Sequence, residues 1–205
     1  PGLRAPAWGP YICFMNHPGA RTSVAVSDTP GWRLFLGMFA DASRQGLPLV
    51  PLRPRERDPA TALSGGDYDF IMPPTGFEPL VEVLWRRAAA EGASFSINSS
   101  NPNKVQVIVH LTEAGRNILL ELWTRLDVRD PARRSAREIS WAALAPHVRI
   151  GADGTYRLLP EVEIAYYLSH LATRRKRTES PLVSARLAAY AALAATQAPH
   201  LAPLL

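Results

Sequence analysis

Ser64-Gly65-Gly66-Asp67-Tyr68-Asp69-Phe70-Ile71-Met72 carries the strongest local signal in the chain. Two glycines run into an acid, an aromatic, a second acid and an apolar tail that stops at Pro73-Pro74. Aromatic and branched residues after the glycines favour a strand, and a proline pair ends one. Side chains on a strand alternate between faces. Asp67 and Asp69 are therefore expected on one face, with Tyr68 and Phe70 packed on the other. Carboxylates so placed repel each other unless a divalent cation sits between them or water reaches both. A Mg²⁺ site at the mouth of a sheet and an edge strand with solvated acids both fit these residues.

Upstream, Thr29 before Pro30 reads as an N-cap with proline in the first turn. Trp32, Phe35, Leu36, Phe39 and Ser43 recur at helical spacing, so an amphipathic helix is expected over 31–45, closed by Gly46. Leu47–Leu52 reads as a short buried strand, and Arg53–Pro59 as a charged connection into the opening stretch. Further back, Tyr11–Met15 and Thr22–Val26 are candidate short strands, with 1–24 forming an arm.

Downstream, Thr75 and Glu78 have capping-box spacing, and Phe77, Leu80, Val81, Leu84 and Ala88 form one helical face ending near Gly92. Residues 93–98, 104–110 and 117–124 alternate as three strands. In the last, Ile118, Leu120 and Leu122 share one face, while Leu119, Glu121 and Trp123 share the other. An acid inside an apolar strand is avoided unless it is paired or binds something, so Glu121 is the second informative residue. Ser135–Leu144 reads as a short helix, and Arg149–Leu158 as a hairpin turning at Asp153-Gly154. Helices are expected from Pro160 through Arg175, with Ile164, Leu168 and Leu171 buried, and from Pro181 to about Ala195.

The class implied is α/β (α+β): a mixed sheet with flanking helices and a C-terminal helical tail. The organisation expected is an arm over 1–24, an α/β core over 25–130 and a mainly helical region over 131–205. A hydrophobic content of 47% with 20% charged residues is enough to bury a core. A net charge of +5, carried almost wholly by arginine, suits a phosphate-bearing partner; nucleic acid is allowed by it but not favoured. Cys13 is the only cysteine, so no internal disulfide forms and a reducing, cytoplasmic setting is expected. No apolar run is long enough to span a membrane. The chain begins at Pro1, so a processed protein or a piece of a longer one is expected, and no signal segment precedes Trp8.

Gly65-Gly66-Asp67-Tyr68-Asp69-Phe70 and the later Ile118-Leu119-Leu120-Glu121-Leu122-Trp123 together resemble the nucleotidyltransferase-fold superfamily. The likeness is in particular to bacterial nucleotidyltransferase-like proteins often associated with polysaccharide gene clusters. Leu159-Pro160-Glu161-Val162-Glu163-Ile164-Ala165-Tyr166-Tyr167-Leu168 also resembles their helical portion. The resemblance implies a strand bearing two acids, Asp67 and Asp69, and a third acid, Glu121, on a neighbouring strand. The three would hold Mg²⁺ (or Mn²⁺) and a nucleoside triphosphate, and carry out transfer of a nucleotidyl group to a hydroxyl acceptor. Ser64, Gly65 and Gly66 are expected to offer backbone N–H groups to phosphate, with Arg53 and Arg55 meeting the outer phosphates. In the superfamily the glycines start a helix several residues ahead of the acids; here they abut Asp67. A catalytically silent member that binds a nucleotide or a partner, as a homodimer through the helical tail, is the alternative. The diguanylate-cyclase signature is excluded, because it has a single residue between its acid and its phenylalanine where this chain has Tyr68-Asp69. His110 reads as a satisfied structural histidine, and no zinc-ligand spacing occurs.

Overall fold

A computed structural model describes residues 29–52, 67–101, 103–111, 116–130, 135–151, 154–174 and 181–200. The first described element is helix α1 (Pro30–Arg44), capped where Thr29 accepts a 3.3 Å hydrogen bond from the Trp32 backbone N–H. The expected strand after it is reduced to β1 (Val50–Pro51), because Pro48 and Pro51 break a longer ladder. Strand β2 (Asp67–Ile71) follows, then a single 3-10 turn over Pro74–Gly76 and helix α2 (Phe77–Glu91). The expected capping box does not form: Thr75 is wound into the 3-10 turn, and the N-cap is Gly76, with no side-chain bond. At the other end Gly92 adopts φ 63°, a left-handed conformation that glycine takes without a Cβ penalty.

Strands β3 (Ser94–Asn101), β4 (Lys104–Leu111) and β5 (Arg116–Trp123) form an antiparallel meander. Strand β5 then accepts β2 as a parallel neighbour, giving a five-stranded sheet in the order β1-β2-β5-β4-β3. The α/β class with a mixed sheet and flanking helices is therefore what the chain adopts.

Alternation gives this sheet two unlike faces. Val107, Val109, Leu111, Ile118, Leu120, Leu122 and Phe70 point to one side, where they pack on Trp32, Phe35, Met38, Leu80, Val83 and Leu84 of α1 and α2. Burying a large aliphatic or aromatic side chain contributes roughly 1.5–3 kcal/mol, so this shared core is the main support of the sheet. Ion pairs cross the outside of the helix pair. Arg87 grips Asp41 through two hydrogen bonds of 2.9 and 3.0 Å, and Glu91 accepts from Arg33 at 2.7 Å.

The rest of the chain differs from its sequence reading in one place. Instead of a helix over 135–144, strands β6 (Arg125–Asp130) and β7 (Ser135–Ser140) pair as a hairpin, and only α3 (Trp141–Leu144) is helical. Cross-strand pairing, including a 2.9 Å bond from Arg125 to Glu138, outweighs a modest helix propensity. The expected 130/131 boundary falls inside this hairpin. Strands β8 (Val148–Ile150) and β9 (Tyr156–Leu158) form the expected hairpin, with Gly154 at φ 75°. Helices α4 (Pro160–Arg174) and α5 (Pro181–Gln197) complete the tail, joined through Ile164, Tyr167, Leu171, Tyr190 and Leu193. A third apolar cluster ties the sheet to these later elements: Val50, Leu52 and Ile71 meet Leu126, Leu144 and Leu158. No helix among the described residues is long and apolar enough to cross a membrane. The candidate strands at 11–15 and 22–26 lie outside the described residues.

Two outcomes follow from the helix layer. A Cβ added at Gly31 would lie 2.3 Å from the His110 backbone oxygen, so α1 must shift to admit it. Gly31→Ala is expected to cost about 1–3 kcal/mol in urea denaturation, in the range of overpacked cores. Glu91 has its carboxyl held below the ordinary glutamate range, first by the hydrogen bond from Arg33 and next, against the raising effect of burial, by Arg87. A lowered folded pKa stabilises above the unfolded pKa and is lost as pH falls through the folded one. Wild type is thus expected to melt above Glu91→Gln at neutral pH, and the gap to close on acidification below the glutamate range.

Candidate functional site

The face of the sheet turned away from α1 and α2 is mixed: Ile71 and Trp123 on it join the third apolar cluster, and beside them runs a row of polar residues. The parallel register of β2 on β5 sets Asp69 beside Glu121, and the antiparallel register beyond sets Glu121 beside Gln106 and Gln106 beside Asn98. Neighbouring strands lie about 4.8 Å apart, so these residues form a continuous row across β2, β5, β4 and β3. The sequence accounts for most of the row: Asp69, Glu121 and Gln106 occupy the positions alternate to the buried Phe70, Leu120, Leu122 and Val107.

Glu121 is the best-partnered member. Its Oε1 accepts from Lys104 Nζ at 2.5 Å and from Gln106 Nε2 at 2.9 Å. Gln106 Oε1 in turn accepts from Asn98 Nδ2 at 3.2 Å. The Lys104 and Glu121 side chains are only 19% and 13% exposed, which makes this a part-buried, hydrogen-bonded ion pair rather than a surface contact. The reason an acid sits in an apolar strand is thereby visible: it is paired. Trp123, two residues on, serves both neighbours. Its Nε1 donates to Asp69 Oδ1 at 3.1 Å, and the Lys104 ammonium lies 4.8 Å over its ring.

Of the residues read as a site, Asp69 and Glu121 are brought together. Asp67 belongs to β2 at the position opposite Leu119, with a side chain outside the described residues. Ser64, Gly65, Gly66, Arg53 and Arg55 also lie outside the described residues. Lys104, Gln106 and Trp123 were not singled out from the sequence. The alternation in β4 does place Lys104 and Gln106 on the polar face, but only the β4–β5 register shows which acid they meet.

Farther along the same face, His110 is satisfied as expected: Nδ1–H donates to Asn117 Oδ1 at 3.1 Å, leaving Nε2 to accept from the Ser96 hydroxyl at 3.2 Å. A cavity of about 230 Å³ lined by Asp41, Arg44, Gln45, Val83 and Arg86 opens on the helix side of the sheet. Its arginines are engaged with Asp41 and Glu82, and it has no part in the acid row.

In donor type, Asp69 and Glu121 suit a hard divalent cation, which prefers carboxylate oxygen. No group of three His, Cys, Asp or Glu residues placed to hold a metal occurs among the described residues. The charge of Glu121 is already balanced by Lys104, so a cation there must displace the ammonium. No protein-family model, curated protein or solved structure matches the chain.

The strength of the Lys104–Glu121 pair is open to a double-mutant cycle. Lys104→Met, Glu121→Gln and the double variant are expected to give a coupling of about 1.5–3 kcal/mol in urea denaturation, the range for a hydrogen bond to a charged group. A coupling below about 0.5 kcal/mol is the signature of an exposed pair and would contradict the part-buried geometry.

Proposed function

We propose that this chain is a Mg²⁺- or Mn²⁺-dependent nucleotidyltransferase that moves a nucleotidyl group from a nucleoside triphosphate to a hydroxyl acceptor. One observation supports it above the others: Asp69 and Glu121, 52 positions apart by subtraction of their numbers, lie in register on adjacent parallel strands. Carboxylates on neighbouring strands of one sheet face would offer oxygen ligands to a divalent cation of the kind that phosphoryl transfer uses.

Asp69, Glu121 and, by its place on β2, Asp67 would hold the divalent cation, which supplies neutralisation of the triphosphate charge when bound. In this reading Glu121 would take the proton of the acceptor hydroxyl as its oxygen attacks the α-phosphorus. The bond from that phosphorus to the bridging oxygen breaks, and pyrophosphate leaves. Trp123 orients Asp69 through its indole N–H, so the acid nearest the strand register is held in one position. Ser64, Gly65 and Gly66, with Arg53 and Arg55, remain the expected phosphate contacts. A cytosolic setting, which supplies Mg²⁺ and nucleoside triphosphates, goes with this reading.

The Lys104 contact favours a second reading, in which the fold binds a nucleotide without turning it over. Calorimetry with Mg²⁺ and each nucleoside triphosphate tests the site, and pyrophosphate release separates the two readings. Asp69→Asn keeps an oxygen for the Trp123 N–H while removing the charge, and thermal melting checks that the fold is kept. Binding by wild type, weakened at least about tenfold in Asp69→Asn, is the expected result. Equal binding by both proteins would sink the proposed site.

A further inference from the structure

We infer that Ser96, His110 and Asn117 form an acyl-transfer site at the far end of the same sheet face, with Ser96 as nucleophile, His110 as its general base and Asn117 holding the base. The substrate class is an ester with an aliphatic acyl group. The inference goes beyond the nucleotidyl-transfer reading and uses none of its residues.

Strands β3, β4 and β5 supply one residue each. On β3, Phe95 and Ile97 turn to the helix core, which leaves Ser94 and Ser96 on the other face. His110 lies between the buried Val109 and Leu111, and Asn117 precedes the buried Ile118. The registers set Ser94 opposite His110 and His110 opposite Asn117, so Ser96 meets the imidazole on the diagonal. A strand holds such positions more closely than a loop does. Helix α1 presses on this strand from behind: a Cβ at Gly31 would stand 2.3 Å from the His110 backbone oxygen.

The hydrogen bonds have a direction. An amide oxygen only accepts, so the 3.1 Å contact between His110 Nδ1 and Asn117 Oδ1 places the ring proton on Nδ1. Nε2 then carries the lone pair, and the Ser96 hydroxyl donates to it at 3.2 Å. Hydroxyl on one ring nitrogen and acceptor on the other is the order that an activated nucleophile requires. The exposed Ser94 stands opposite the same ring, yet the ring bonds Ser96.

An apolar step beside these residues indicates the substrate. Ser96 lies opposite Ile108, and Ile108 lies opposite Leu119. Both aliphatic residues are half-buried, and neither joins any of the three apolar clusters among the described residues. Branched aliphatic side chains next to a nucleophile suit an aliphatic acyl chain. The same two residues separate the site from the acid row.

In the reaction, His110 Nε2 takes the Ser96 proton as Oγ bonds to the acyl carbon of the ester. The bond from that carbon to the alcohol oxygen breaks, and the proton passes from Nε2 to the departing alcohol. The acyl group stays on Ser96. Water then gives a proton to Nε2 while its oxygen bonds to the acyl carbon. The bond from that carbon to Oγ breaks, and Oγ recovers the proton. Asn117 takes no proton; it is a positioning residue that keeps Nε2 open to the hydroxyl.

Incubation of the full chain with p-nitrophenyl butyrate, read by p-nitrophenolate absorbance and intact mass, tests the site. Wild type is expected to gain a single butyryl group, mapped to Ser96. Ser96→Ala is expected to lose the adduct, and Ser94→Ala to keep it. His110→Gln is expected to slow acylation at least about a hundredfold. Asn117→Ala is expected to slow it at least about tenfold, and Asn117→Asp, which returns an acceptor to Nδ1–H, to restore it. Wild type is expected to prefer butyrate over acetate about tenfold, a preference that Leu119→Ala reduces. Thermal melting checks that each variant is folded. No adduct on wild type, an adduct that persists in Ser96→Ala, or equal acylation of wild type and folded His110→Gln would overturn the inference.

Discussion

The parallel ladder between β2 and β5 is the constraint on which the site and much of the fold depend. It pairs Asp67 with Leu119, Asp69 with Glu121 and Ile71 with Trp123. A slip of one residue would put Phe70 beside Glu121 and turn a core face outward, because side chains alternate with a period of two. Register is therefore enforced by the apolar side. Phe70, Leu120 and Leu122 must meet α1 and α2, and once they do, the polar residues between them have no choice of position. The acid row is the reverse side of a hydrophobic requirement.

That reverse side is costly in isolation and acceptable as a network. Part-buried carboxylates lose hydration, and each such group needs a partner in return. Lys104, Gln106, Asn98 and Trp123 provide those partners in a chain that runs along the sheet. Replacing buried ion pairs by well-packed hydrophobes is often neutral or stabilising, so stability alone does not require this network. A polar network retained where aliphatic packing would serve is a reason to seek chemistry on this face. The helix face, whose arginines and acids are paired among themselves, gives no such reason.

Much of the fold was legible because its signals are local. Thr29 before Pro30, the helical spacing through Phe39, glycine after α2 and the period-two pattern of β3 to β5 each depend on a few adjacent residues. The α/β class and the hairpin at Gly154 follow from the same kind of signal. What escaped was non-local. Ser135–Ser140 has the residues of a helix start and becomes a strand only because Arg125–Asp130 pairs with it. Thr75 has the right spacing to cap α2, but the proline before it winds a 3-10 turn instead. At the site, Glu121 could be recognised as an acid in need of a partner, whereas Lys104 could not be named as that partner. The distance between them is set by a register that no short window contains.

The order β1-β2-β5-β4-β3 also has a kinetic meaning. Strands β3, β4 and β5 are successive and antiparallel, so they close through short connections and can assemble early. Strand β2 joins them only by spanning the whole of α2, β3 and β4, and the Trp123–Asp69 bond closes a separation of 54 residues. Loop-closure entropy makes such a long-range pairing late relative to the meander. The acid row is consequently assembled at the end of folding rather than at its start. During synthesis, Asp69 waits without its neighbour until β5 has emerged. A chain cut before Arg116 retains Gly65-Gly66-Asp67-Tyr68-Asp69 and lacks the strand that completes the acid row.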